Sequence, residues 1–246
     1  MVNDLEATQE FYGRLFGWEF RPGPQQLGPY TRALLDGRVV AGIGRMPEGR
    51  RLPVAWTPYL AAHDADETAG TVRHCGGTVG VGPLDAEDAG RMAIATDPSG
   101  AIFGIWQGRE HRGAAVEGVA GSVLWNELVT PATSGVLPFY QTAFGFEAEP
   151  VATEEDSVTL LLEKRPVASV QGAGQALGEH EAPHWRTHFA VEDPDETVNR
   201  VIELGGRVQR PPRDGTHGRT ATVADPSGAV FTVARPLGPR AAGNAA

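Results

Sequence analysis

Cysteine and lysine are nearly absent from this sequence. Cys75 is the single cysteine, so neither an intrachain disulfide nor a cysteine-rich zinc or iron–sulfur site can form. We expect Cys75 to be a buried helix residue rather than a nucleophile. Lys164 is the only lysine among 21 basic residues, which we interpret as coding bias. This scarcity excludes only chemistry that needs many lysines.

Long apolar segments and positive charge are also lacking. No apolar run approaches the ~18–20 residues of a transmembrane helix, and the N-terminus has no basic segment followed by an apolar signal core. We therefore predict a cytoplasmic protein with no membrane partner. The net charge is −10, from 31 acidic and 21 basic residues. Such a surface repels polyphosphate, so nucleic acid is not an expected partner.

What the sequence does contain is an internal repeat. Three landmarks recur in the same order in both halves: an aromatic helix end, a tryptophan-led strand and an Asp-Pro-Ser-Gly turn. They occupy residues 11–18, 56–67 and 97–101 of the first half, and residues 139–146, 185–196 and 225–229 of the second. A repeat with an offset of about 128 residues predicts two homologous domains.

Each half contains a finer unit of a strand, an amphipathic helix and three further strands. Residues 193–196 read Asp-Pro-Asp-Glu, a capping box in which Asp193 is the N-cap, and residues 64–67 repeat it with Asp64. Val198, Val201 and Ile202 predict a buried stripe, as Thr68 and Val72 do earlier. The pairs at 76–77 and 205–206 are glycines, which predict a left-handed helix end.

The Asp-Pro-Ser-Gly segments fit type I turns, and the alternating strands that follow them predict antiparallel hairpins. We therefore predict an α+β fold of four βαβββ modules in two domains. The first domain spans residues 1–107, a glycine-rich linker 108–120, the second domain 121–235 and a disordered tail 236–246. No strand fits before the helix that begins near Asp4; we favour a true start upstream of Met1 over the loss of one strand.

The order of these motifs resembles the vicinal oxygen chelate superfamily, the glyoxalase, bleomycin-resistance and extradiol-dioxygenase group. More narrowly, it is similar to two-domain actinobacterial members described as glyoxalase-like. The resemblance implies that each domain curls its sheet into a cup that holds a ligand or metal. It also implies metal ligands from the first strand and the last strand of a module.

Those positions carry no metal ligands in this sequence. The last-strand glutamate of the family corresponds to Gly104 and Thr232. The first-strand ligand corresponds to Thr57, Trp125 and Arg186. None of these side chains is an imidazole or a carboxylate of the kind that Zn²⁺, Fe²⁺ or Mn²⁺ prefers. We therefore expect no metal and no other cofactor, which puts the metal-dependent activities of the family in doubt.

Polar residues of the second domain offer other chemistry. Residues two apart on a strand share a face, so we expect Trp125 and Glu127 to face Arg186 and His188 inside one cup, with His184 nearby. Glu127 and His188 are candidate catalytic residues, since a carboxylate near an imidazole is the minimum for acid–base catalysis. Glu127 and Arg186 could instead form a buried ion pair.

The remaining candidates are less specific. The spacing of His184 and His188 is one that binds zinc on a helix, but here it lies on a strand. Trp125 could stack on a planar ligand, whereas Trp56 and Trp185 have the opposite parity and are expected to pack in the core. In the first domain only Tyr59 is a candidate ligand contact, beside Thr57.

Three functions remain open on the sequence. The favoured one is a metal-independent protein that binds a small apolar or aromatic molecule, as the drug-sequestering members do. The second is a metal-independent lyase, isomerase or cyclase that uses Glu127 and His188, and the third is a regulatory module without chemistry. A metal-dependent dioxygenase or glyoxalase comes behind these. We expect either a monomer whose two domains pair like subunits of a dimer, or a homodimer.

Overall fold

The computed structural model describes residues 1–24, 28–46, 49, 54–152, 154–174, 177, 182–215 and 218–236. Of the predicted tail, only Pro236 falls within them; residues 237–246 lie outside. The α-helices are α1 (Leu5–Phe16), α2 (Ala65–His74), α3 (Leu137–Phe144) and α4 (Pro194–Glu203). None of the helices in the described ranges combines the length and the apolar character needed to cross a bilayer.

Fifteen strands accompany these helices over the same ranges. Those of the first half are β1 (Glu19–Pro22), β2 (Tyr30–Leu35), β3 (Arg38–Gly44), β4 (Tyr59–Ala61), β5 (Thr78–Ala86), β6 (Gly90–Thr96) and β7 (Ile102–Gly108). Those of the second half are β8 (Val123–Thr130), β9 (Glu147–Pro150), β10 (Ser157–Leu162), β11 (Arg165–Gly172), β12 (His184–Ala190), β13 (Arg207–Gly215), β14 (Gly218–Ala224) and β15 (Val230–Ala234).

The strands are arranged as four modules. Module one contributes a sheet of order β1-β2-β3, and module two a sheet of order β4-β7-β6-β5. Modules three and four share one eight-stranded sheet, of order β13-β14-β15-β12-β8-β11-β10-β9. In modules two, three and four the first strand runs parallel to the last strand of its own module, and the hairpins are antiparallel. The predicted α+β fold of βαβββ modules is confirmed.

Module one differs from the others before its helix. Val2 forms a single parallel bridge with Arg45, just beyond the end of β3. This bridge lies where the other modules place a first strand parallel to their last one. Val2 is buried in a hydrophobic core, so this short segment still covers the edge of the module.

The helix ends follow the sequence signals closely. The side chain of Asp193 accepts hydrogen bonds from the backbone N–H groups of Asp195 and Glu196, and Asp64 caps α2 in the same way. Gly76 and Gly205 have φ values of +87° and +83°, as the predicted left-handed ends require. One prediction is wrong: Ile202 is 54% exposed, because the buried face of that helix carries Pro194, Val198 and Val201 instead.

Two hydrophobic cores hold the modules together, and each core joins the two halves of the chain. One combines α2 and β7 of module two with α3 and β11 of module three, and Cys75 packs against it half-buried at the end of α2. The other combines α1 of module one with Phe189, Val201 and Phe231 of module four. Neither half of the sequence therefore forms a complete hydrophobic core by itself.

The segment predicted as a linker is tied to both halves. Within residues 108–120, Val116 is buried in the core that modules one and four share. The backbone N–H of Ala115 donates to the carbonyl of Val39, and Glu117 bridges Val123. Next to it, the carbonyl of Gly121 accepts from the indole of Trp18 at 2.7 Å. The segment is packed structure rather than a free tether.

Candidate functional site

The pairing of β8 with β12 at the centre of the eight-stranded sheet brings the predicted site residues together. These strands are antiparallel, with Trp125 opposite His188 and Glu127 opposite Arg186. Along β12, Trp185 and Phe189 are buried against the helices, whereas His184, Arg186 and His188 are half-buried on the other face. We call that open face, with Trp125 and Glu127, the second cup.

Glu127 is the centre of the charge arrangement in the second cup. Its Oε2 accepts a hydrogen bond from Nη1 of Arg186 at 3.0 Å and lies 3.7 Å from Nε2 of His188. Nη2 of Arg186 is 3.5 Å from Nε2 of His184. The side chains of Arg186 and Glu127 are only 13% and 22% exposed, so their attraction is weakly screened by solvent. Glu127 and Arg186 therefore form the ion pair that was one of the two alternatives for these residues in the sequence analysis.

Two buried nitrogen atoms of this group have no hydrogen bond to a described residue, namely Nε of Arg186 and Nε2 of His188. A buried donor or acceptor without a partner costs about 1–3 kcal/mol. Such atoms in a folded protein point to a molecule that completes them. Both atoms belong to the second cup.

A cavity opens beside these residues. It has a volume of about 270 Å³ and is lined by His184, Arg186, Gln209, Arg210, Thr222 and Val230. Gln209 and Arg210 are adjacent on β13 yet both reach it, since β13 is bulged on either side of Arg210. Nearby, the indole of Trp125 donates to the hydroxyl of Ser169 at 2.9 Å, which fixes the plane of the ring.

The first cup, the corresponding face of the first domain, is built differently. Tyr59 pairs with Gly104 across β4 and β7, and its ring lies over that glycine: a Cβ at position 104 would be 2.3 Å from Cδ1 of Tyr59. Tyr59 is 46% exposed, yet burial raises the pKa of its phenol. Tyr59 belongs to a different sheet from Glu127 and His188, so the first cup is separate from the second.

The residues present do not fit the divalent metal that the superfamily implies. The position of the last-strand carboxylate is taken in the first domain by Gly104, under the Tyr59 ring, and in the second by Thr232, whose hydroxyl is 3.4 Å from that of Thr222. Glu127 is held by the guanidinium of Arg186, a cation where a metal ion would need to bind. The described residues contain no group of three or more His, Cys, Asp or Glu side chains that could hold a metal.

His184 and His188 are also unsuited to a shared ion. They are four residues apart on β12, which separates them by roughly 13 Å on an extended strand. A single zinc ion needs its ligands at about 2 Å. The first-strand positions Trp125 and Thr57 add no donor of the required kind, and Thr57 precedes β4 rather than lying in it.

Sequence reasoning missed part of this site. Ser169, Thr222, Gln209 and Arg210 were not singled out, although they line or support the second cup. Period-two alternation on β14 would have found Thr222, because it lies between the buried core residues Ala221 and Val223 and therefore on the opposite face. No counting rule could have found Gln209 and Arg210 together, because the bulges of β13 break the alternation.

Solved structures share this architecture. The Mn(II)-bound glyoxalase from Novosphingobium aromaticivorans matches with a TM-score of 0.62 at 17% identity, over 94% of this chain and 78% of that one. The 2,3-dioxygenase LapB from Pseudomonas sp. KL28 matches with a TM-score of 0.59 at 16% identity, over 94% and 88%. At such identities the likeness concerns the fold alone, and the fold is that of the vicinal oxygen chelate superfamily.

Sequence relatives narrow the assignment. Residues 128–234 match the family described as "Glyoxalase-like domain". The anthracycline biosynthesis protein DnrV of Streptomyces peucetius is 39% identical over 98% of this chain and 94% of its own length. "Putative glyoxylase CFP32" of Mycobacterium tuberculosis is 36% identical over 96% and 92%. The chain belongs to the glyoxalase-like family of the vicinal oxygen chelate superfamily.

Proposed function

We propose that this protein binds a small, largely apolar or aromatic organic molecule in the second cup, without a metal ion. The observation that carries the proposal is the cavity of about 270 Å³ beside buried atoms of Arg186 and His188 that lack hydrogen-bond partners among the described residues. Concave sites with a few convergent polar groups are the usual form of small-molecule sites. Trp125, fixed by Ser169, offers an aromatic face on the same side of the sheet.

The absence of a metal in this proposal follows from the chemistry of the donors. An Arg186 guanidinium at 3.0 Å from Glu127 already neutralises the one carboxylate among the named residues of the cup. A divalent ion that bound Glu127 would have to displace the Arg186 guanidinium. That guanidinium would then remain close to the ion, unpaired and mostly buried. Trp125 and Thr232 cannot replace the missing imidazole and carboxylate.

The names of two relatives support an aromatic ligand. DnrV and DauV of Streptomyces are both described as anthracycline biosynthesis proteins, and each is at least 38% identical to this chain. Anthracyclines are built on fused aromatic rings. We therefore expect a fused-ring molecule, or a precursor of one, as the ligand.

A second candidate is a metal-independent lyase, isomerase or cyclase acting on the same class of molecule. It is favoured by the 3.7 Å approach of His188 Nε2 to Glu127 Oε2, with that nitrogen free of hydrogen bonds to described residues. In this mechanism the imidazole exchanges a proton with the substrate. Glu127 then stabilises the charge on the ring.

Binding is tested by tryptophan fluorescence during titration with anthraquinone and 2-naphthamide as fused-ring probes. We expect saturable quenching that is reduced at least threefold in Trp125→Phe, and unchanged in Trp106→Phe, a half-buried tryptophan of the first domain. No saturable response to these probes or to 2-naphthoate would reject the proposal. Elemental analysis of untagged protein checks the metal: a stoichiometric transition metal whose removal lowers Tm would contradict the metal-independent part.

The two candidates are separated by turnover. If one probe is converted, and if Glu127→Gln and His188→Ala abolish conversion while their fluorescence titrations still saturate, the protein is an enzyme. Binding without conversion, at equal affinity in His188→Ala, identifies a sequestering protein.

A further inference from the structure

The lining of the second-cup cavity contains two cationic side chains and no carboxylate. Of its six lining residues, Arg186 and Arg210 carry guanidinium groups, and Gln209 and Thr222 offer further N–H and O–H donors. Val230 supplies apolar surface. A ligand that fits this lining must therefore bring acceptor atoms.

Arg186 is oriented to bind such an acceptor. Its Nη1 is committed to Glu127, and its Nη2 faces His184 at 3.5 Å. Its Nε is buried without a hydrogen bond to any described residue. A guanidinium presents its N–H groups as a planar fork that matches a carboxylate. The unfilled Nε–H is therefore the part of the fork that remains for a ligand.

Arg210 adds a second positive charge at the edge of the cavity. It lies on β13, an exposed strand at the end of the eight-stranded sheet, and forms no ion pair with the described part of the chain. Arg186 is paired with Glu127, so the charge of Arg210 is the one at the cavity that no described carboxylate pairs. In a protein of net charge −10, such a local excess of positive charge favours the binding of an anion at the cavity.

We propose that the ligand of the second cup is an organic carboxylate, whose acidic group binds between Arg186 and Arg210 while its apolar part extends towards Trp125. This inference rests on the proposed function, because it names the chemical class of the same ligand. A carboxylate carries one negative charge, which matches the single uncompensated charge of the cavity. A phosphate monoester carries about −1.5 to −2 and would leave charge unpaired.

The inference also accounts for the shape of the site. A volume of about 270 Å³ lies just below the roughly 300–1,000 Å³ typical of ligand sites. It accommodates an acidic group with one or two rings, or the acidic end of a larger molecule. Val230 and Trp125 lie on the same face of the sheet for the apolar part.

The test compares two probes of equal size, 2-naphthoate and its uncharged amide 2-naphthamide, by calorimetric titration of the full-length protein. We expect naphthoate to bind at least tenfold more tightly than the amide in about 50 mM salt, and this preference to shrink as salt screens the charges. In Arg210→Gln the preference should fall at least threefold, because the affinity for naphthoate falls more than the affinity for the amide. Arg210 is exposed, so this substitution leaves the fold intact.

Matched variants make the outcome specific. Arg207→Gln removes the same charge from the same strand outside the cavity lining and should keep the full preference. If both probes bind equally to the wild type, the carboxylate inference is wrong while the proposed binding function stands. If naphthoate keeps its preference in Arg210→Gln and in Arg186→Met, the acid is bound elsewhere and the inference fails. If neither probe binds, the proposed function fails with it.

Discussion

The phenol of Tyr12, in the first domain, donates a hydrogen bond of 3.0 Å to Oδ2 of Asp225, in the second. Tyr140, in the second domain, donates the equivalent hydrogen bond of 2.9 Å to Oδ2 of Asp97, in the first. The indole of Trp56 donates to the hydroxyl of Tyr12, and that of Trp185 does so to the hydroxyl of Tyr140. The three repeated landmarks of the sequence thus meet in space, and each set draws on both halves of the chain.

This arrangement predicts a defined loss of stability in Tyr12→Phe. Asp225 is 1% exposed, so removing the hydroxyl leaves a buried carboxylate oxygen without one donor. We expect the free energy of unfolding at pH 7 to fall by about 1–3 kcal/mol, measured by urea denaturation. Tyr59→Phe serves as the control, because that ring is half exposed; it should change stability by less than about 0.5 kcal/mol. Equal losses in the two variants would contradict the role of the contact.

The same contacts predict sensitivity to alkali. Burial, and then the charge of Asp225, raise the pKa of Tyr12; burial and Asp97 do the same for Tyr140. A pKa raised by folding means that the neutral phenol stabilises the fold below pH about 10. This contribution is lost as the pH rises through the pKa of the folded state. We expect unfolding free energies measured from pH 8 to 11 to decline less steeply in Tyr12→Phe/Tyr140→Phe than in the wild type. Parallel curves would show that these phenols are not the cause.

The shared cores predict that the two domains unfold as one unit. Phe16 of the first domain lies with its ring centroid 5.1 Å from that of Phe189 in the second. We expect the full chain to give one calorimetric transition, and residues 121–236 alone to form no folded monomer. Phe16→Ala should destabilise the whole chain by about 3–5 kcal/mol. Two separate transitions, or a folded monomeric second domain in light scattering, would contradict this.

The packing of the Tyr59 ring over Gly104 predicts that a glycine-to-alanine substitution destabilises the protein at this position but not at Gly70. A Cβ there would be within 2.3–2.6 Å of three Tyr59 ring atoms, so we expect Gly104→Ala to destabilise by about 1–3 kcal/mol. In a Tyr59→Ala background the penalty should disappear. Gly70→Ala is the control: this glycine lies in α2 with no heavy atom within 4 Å of the new Cβ. It should stabilise by about 0.5–1 kcal/mol, as chemical denaturation would measure.

The ion pair of the second cup predicts non-additive effects on stability. Removing one partner of a fully buried pair costs about 3–5 kcal/mol. Since Arg186 and Glu127 are 13% and 22% exposed, we expect roughly 2 kcal/mol for Glu127→Ala. The double variant Glu127→Leu/Arg186→Met should lose less than either single change. The exposed pair of Arg200 and Glu203 is the control, where Glu203→Ala should cost no more than about 0.5 kcal/mol. Additive losses would show that the two charges do not interact.

Much of the second cup could be predicted because β8 and β12 pair without a register shift from His184 to His188. On such a stretch residues two apart share a face, which predicts that Trp125 lies with Glu127 and Arg186 with His188; the resemblance to paired modules predicted that the two strands face one another. The prediction for Ile202 was wrong because the buried face of α4 consists of Pro194, Val198 and Val201 and leaves Ile202 on the exposed side. Arg210 could not be predicted as a cavity residue, because the register shifts on either side of it in β13 break the alternation of faces.

The modules, their caps and turns, and the absence of the family's metal donors could be recognised in the sequence, since these features depend on residues close together in the chain. The contacts of Tyr12 with Asp225 and of Tyr140 with Asp97 depend on the three-dimensional packing, because helices of different halves share each core. The packing also decided which atoms of the second cup are left without partners. Such atoms are identified by what surrounds them in space, and a repeat pattern carries no record of that.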